Sequence, residues 1–114
     1  MTLLNKSKLI INKSIFYGHL YEIESLNKIP NLISIHKKKY KKANHHCCAA
    51  TYDGEFIIKN DGEIGYPAKS ILQVLQNANL TSHCIIISRI FGGEKLGPGN
   101  VSKAFRECAR LLNK

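Results

Sequence analysis

The segment from His83 to Gly99 constrains this chain more than any other. Three consecutive isoleucines, Ile85, Ile86 and Ile87, leave a strand no polar face, so the strand at His83–Phe91 must be buried on both sides. It belongs at the centre of a sheet, and Phe91, closing it, is expected to pack in or beside the core. Four glycines follow within eight residues, Gly92, Gly93, Gly97 and Gly99. Such a run turns sharply and lets backbone N–H groups come close to a neighbour or a ligand. The spacing is neither a Walker A loop nor a GxGxxG fingerprint, so no nucleotide cofactor is implied.

The other elements fall around that strand. Lys8–Ile11 and Ser14–Ile23 read as strands joined by an Asn12-Lys13 turn. In the second, one parity carries Ile15, Tyr17, His19, Tyr21 and Ile23, and the other carries Phe16, Gly18 and Leu20. Both faces are partly apolar, and the pattern does not say which meets the core. Ile29, Leu32, Ile33, His36 and Tyr40 form one helical stripe, with Pro30 in the first turn. Ser25 is an alternative cap. His46–Tyr52 and Glu55–Lys59 read as a hairpin about Asp53-Gly54, a type I′ signal. A helix from Pro67 to near Asn79 follows, and the last helix spans about Asn100–Asn113 with Val101, Ala104, Phe105 and Cys108 inward. The order ββαββαβα gives an α+β class: a two-layer sandwich with a mixed sheet and helices on one face. Residues 1–114 read as a single domain.

With 44% hydrophobic and 22% charged residues, the chain is compositionally globular. Nothing in it has the length of a transmembrane span or a signal peptide, so no membrane partner and a cytoplasmic location are expected. Seventeen Lys and Arg against eight Asp and Glu give a formal charge of +9. That balance favours polyanionic partners. It is also uneven: Asp53, Glu55, Asp61 and Glu63 are half of the acids, whereas Lys37, Lys38, Lys39, Lys41 and Lys42 surround one helix end. Cationic side chains complement a helix C-terminus, but five exceed that need.

Three segments are candidates for chemistry. Asn44-His45-His46-Cys47-Cys48 holds metal-ligand residue types, yet a zinc site needs paired spacing that is missing. Cys47, Cys48, Cys84 and Cys108 therefore read as buried free thiols, with no metal. Asp61-Gly62-Glu63 suits either a turn or acid/base work. The segment Arg89 to Gly99 suits either a tight structural loop or an anion site at a helix N-terminus. In the second case Arg89, Lys95 and the loop backbone form a shallow site, with Asp61 and Glu63 at its edge.

Arg89-x-Phe91-Gly92-Gly93-x-Lys95-Leu96-Gly97-x-Gly99 resembles the RxFGGxKLGxGG signature of the IMPACT family, the YigZ-type proteins. Asp61-Gly62-Glu63 with Ile71-Leu72-Gln73-Val74-Leu75 resembles its DGEP…PILQVL segment. Ala43-x-His45-x-Cys47 resembles its ATHNC strand entry, and Lys13-Ser14-x-Phe16-x-Gly18 its KSRFIG start. The usual SGTAG after DGEP is replaced by Ile64-Gly65-Tyr66-Pro67-Ala68, and Asn100 stands where a glycine is usual. The resemblance implies a sandwich like domain IV of elongation factor G. It implies the IMPACT domain alone, without the ferredoxin-like domain of bacterial members or the RWD domain of eukaryotic ones. Eukaryotic members regulate translation by competing for an activator of an initiation-factor kinase, and bacterial members are proposed to bind nucleic acid.

Two functions follow as expectations. One is a non-enzymatic binding module for RNA, the ribosome, or a translation-factor or kinase-activator protein. It would contact phosphates through Lys37–Lys42 and the Arg89/Lys95 loop. The other is a small enzyme using His45, Asp61, Glu63 and Lys95 on a phosphorylated or carboxylated metabolite. The module is favoured, because no complete catalytic constellation is present.

Overall fold

Asn12 and Lys13 both take positive φ, 46° and 67°, the conformation a two-residue type I′ turn needs. In the computed structural model, which describes residues 1–113, this turn joins β1 (Thr2–Ile11) to β2 (Ser14–Glu22). A short 3₁₀ turn then leads into α1 (Ile29–Lys39), with Pro30 in its first turn and no side-chain cap from Ser25. The hairpin β3 (His45–Tyr52) and β4 (Glu55–Lys59) turns at Asp53 and Gly54, again with positive φ at both. It is followed by α2 (Pro67–Asn77), β5 (Ser82–Ile90) and α3 (Pro98–Leu111).

The five strands lie in the order β1-β2-β5-β3-β4. β5 is central, as its triple isoleucine requires. The α+β sandwich and the element order stand as read, but two details differ. Every strand pair is antiparallel, so the sheet is not mixed. The cause is the strand order, which inserts β5 between the parallel-running β2 and β3. The helices also do not share one face. Phe16, Cys47, Ala49, Ile85 and Ile87 pack against α2 and α3, around an edge-to-face Phe16–Phe105 pair. On the opposite face, Cys48, Ala50, Cys84 and Ile86 pack against Ile29 and Leu32 of α1. Apolar residues on both parities of β2 need two covers, and α1 is the second.

The ends of several elements also shift. β1 begins at Thr2 rather than Lys8, its lysines alternating outward. β5 stops at Ile90, since the Phe91 N–H donates to the Asn44 side chain at 2.9 Å instead of continuing the ladder. Phe91 is therefore not a core residue, and 45% of it is exposed. All four cysteines are buried and free. Among the described residues no helix is long and apolar enough to cross a membrane.

Candidate functional site

Arg89 is the last inward-facing residue of β5 and lies in register between Phe16 of β2 and His45 of β3. A guanidinium there is enclosed on both sides by sheet, and burying it requires a counter-charge. Glu63 supplies one from the turn before α2, its Oε1 3.0 Å from Arg89 Nη1. Neither residue is exposed by more than 6%. Arg89 Nη2 also donates to Ser14 Oγ at 3.3 Å. The guanidinium carbon stands 5.5 Å from the Phe16 ring centre and 5.8 Å from that of Phe91. The sequence suggests an Arg89 that contacts phosphate, with Glu63 at the edge of its site; it is instead buried and paired with Glu63, because charged groups in a core are tolerated only when matched.

His45 enters from β3. Its Nδ1 donates to the Asp61 carbonyl at 2.9 Å, and its Nε2 is 3.8 Å from Glu63 Oε1. The Asp61 carboxylate accepts the His46 N–H at 2.8 Å. The turn at Asp61 and Gly62, both at positive φ, thus ties β3 to the start of α2. Glu63 Oε1 takes a further bond from the Ile64 N–H at 3.1 Å. Among the described residues, Glu63 Oε2 and Arg89 Nε have no hydrogen-bond partner.

The glycine loop closes the site from the other side. The Gly92 N–H donates to Ser14 Oγ at 3.2 Å, and a β-carbon on Gly92 would run into the backbone of Lys13. Gly93 is required for another reason: its φ is 91° while the space around it is open. Leu96 is buried and anchors the loop, whereas Lys95 is exposed. Gly97 precedes α3 and Gly99 lies in its first turn, so the helix starts two residues earlier than the sequence suggests. Pro98 suits that first turn. No side chain caps it.

Between these parts lies a cleft of about 500 Å³. His45, Glu63 and Arg89 line its base, Ile64, Phe91, Leu96 and Pro98 give apolar walls, and Lys95 stands among the lining residues. Sequence motifs 26 residues apart, at Glu63 and Arg89, therefore meet in one place. Ser14 escaped notice as a site residue, although it follows Lys13 in the resembled segment.

Lys37, Lys38 and Lys39 occupy the last turn of α1, and Lys41 and Lys42 follow it, all exposed. Among the described residues none of the five forms an ion pair within 4.0 Å. A groove beside Lys37 and Lys41 runs along Asn44, His46 and Asp61. Asn44 borders both this groove and the cleft. Beneath α1 lies a group that sequence reasoning missed. His19 and His36 meet edge-to-face at 4.5 Å. His36 Nε2 is 2.7 Å from the Tyr21 hydroxyl, and His19 Nε2 is 3.2 Å from that of Tyr40. Burial, reinforced by nearby positive charges, lowers the His19 pKa to about 4 and the His36 pKa to about 3. The shared parity of His19 and Tyr21 was the available signal.

Residues 12–112 match the family model of the Impact N-terminal domain. The chain is 29% identical over 102 residues to "IMPACT family member YvyE" of Bacillus subtilis, covering 86% of this chain and 47% of that protein. The chain spans about half the length of the curated relatives it matches most strongly. Among solved structures, the fold matches a crystal structure of a hypothetical protein with a TM-score of 0.84 at 21% identity, over 98% of this chain and 58% of that one. It also matches the two-domain translational regulator Yih1, with a TM-score of 0.52 at 22% identity, over 97% of this chain and 45% of that one.

Proposed function

This chain belongs to the Impact N-terminal domain family, and from that premise we propose that it is a non-enzymatic binding module acting in translation. Its partner is RNA, free or on the ribosome, and its place of action is the cytoplasm. Lys37, Lys38, Lys39, Lys41 and Lys42 contact phosphates, joined by Lys95 and the glycine loop. One observation carries this reading: Asn44 borders both the lysine groove and the motif-lined cleft. The positive helix end and the family motifs thus belong to one continuous surface. Clustered lysines without acidic partners bind a phosphate backbone by displacing its counterions. The likeness to a translational regulator agrees with this setting.

Affinity for single-stranded RNA, followed from about 50 to 200 mM salt, tests it. A linear fall of log affinity with log salt is expected. Absent or salt-independent binding contradicts it.

The second reading, a small enzyme acting on a phosphorylated or carboxylated metabolite, draws on His45 standing 3.8 Å from Glu63 at the base of a cleft. A thermal-shift screen of such metabolites separates it from the first. A ligand that raises the melting temperature and is turned over supports the enzyme.

A further inference from the structure

We propose that the cleft above the Glu63–Arg89 pair receives one unpaired nucleobase of a single-stranded RNA whose phosphates lie along the α1 lysines. The inference rests on the RNA-binding reading above and adds how the strand is held.

The base of the cleft is unsuited to a phosphate. Glu63 places a buried carboxylate there, and Arg89 is already committed to it. Glu63 Oε2 and Arg89 Nε, without a partner among the described residues, are themselves sealed from solvent. His45, whose Nδ1–H is given to the Asp61 carbonyl, lines the cleft beside Asn44 and Lys95. These are the polar side chains a ligand reaches, and a neutral group presenting donors and acceptors on one edge, such as a nucleobase, suits them.

The walls match the rest of a base. Phe91 has left the core and is 45% exposed, while Arg89 supports its ring at 5.8 Å. A half-exposed aromatic held from behind is a stacking platform. Ile64 and Leu96 add apolar surface, and about 500 Å³ falls within the ~300–1,000 Å³ of small-molecule sites. Because Asn44 joins the cleft to the lysine groove, base and phosphate can be held by adjoining surfaces. A base inside a duplex cannot enter, so single strands are selected.

The test compares three probes: a short single-stranded RNA of mixed sequence, the same strand in a duplex, and inorganic polyphosphate. Wild-type protein is read beside Phe91→Ala, Phe91→Tyr and Ile64→Ala, with melting temperatures recorded. The expected result is tighter binding of the single strand than of the duplex. Phe91→Ala then loses about 10-fold on the single strand, the scale of one stacked base, but nothing on polyphosphate. Phe91→Tyr restores the affinity, and Ile64→Ala shows a smaller loss if Phe91→Ala does not fold. Wild-type affinity for the single strand in folded Phe91→Ala and Ile64→Ala overturns the base site and leaves the lysine surface standing. An equal loss on polyphosphate also overturns it. Failure of the wild-type protein to bind either polyanion overturns the RNA reading and this inference together.

Discussion

Glu63 Oε1 and Arg89 Nη1 stand 3.0 Å apart with both side chains withdrawn from solvent. The pair joins the turn before α2 to the central strand. Removing one member strands the other as an uncompensated buried charge. Glu63→Ala is therefore expected to cost about 3–5 kcal/mol in a urea titration. Glu63→Gln should cost less, because its amide oxygen still accepts from Nη1. A cost for Glu63→Ala no larger than the ~1 kcal/mol of a surface pair would contradict the geometry.

Two adjacent glycines should respond differently to alanine. At Gly92 the new methyl meets the Lys13 backbone, which cannot move without disturbing the β1–β2 turn. At Gly93 the space is open and only the positive φ is at stake, a penalty of about 1–2 kcal/mol. Thermal melts of both variants should rank Gly92→Ala as the more damaging, and the reverse order would show that the loop adjusts freely.

The turns and the central strand could be read directly from residues, because local chemistry decides them. Asp53-Gly54 fixes its hairpin, and Ile85-Ile86-Ile87 admits only a middle strand. The buried state of Arg89 could not be read, since its partner lies 26 residues earlier and only the sheet brings them together. Phe91 misled for a related reason: an apolar residue at the end of an apolar strand looks like core until Asn44 takes its N–H. The placement of α1 was hidden in β2, whose two apolar parities left the choice of face undecided. Of the candidate site, the sequence motifs identified most of the members but not the cleft they enclose.

The His19–His36 pair makes stability sensitive to acid. Both groups have lower pKa values folded, about 4 and about 3, than the ~6.5 of an unfolded histidine. Below about pH 6.5 the unfolded chain binds protons that the folded one refuses, so stability falls as pH falls. The loss continues until the folded-state values are reached. Urea midpoints between about pH 7 and pH 4 should drop less steeply for His36→Phe than for the wild-type protein. Equal slopes would mean that His36 is not held neutral by the fold.

The thiols should be inert in the native protein. Burial raises the pKa of Cys47 and that of Cys108 to about 11, a hydrogen bond with Cys48 and then burial raise that of Cys84, and only thiolates react readily. A chromogenic thiol reagent is expected to find almost no reactive cysteine at neutral pH and all four in denaturant. Rapid labelling of a native thiol would contradict this burial.

The most direct measurement is the salt dependence of single-stranded RNA binding after Lys37, Lys38, Lys41 and Lys42 are replaced together by glutamine. These exposed side chains carry little of the fold, so the melting temperature should hold. If they touch phosphates, the slope of log affinity against log salt becomes shallower by up to about 3, near 0.7 for each phosphate of a single strand that is no longer neutralised. An unchanged slope in the folded variant would show that the basic end of α1 is not where this protein meets RNA.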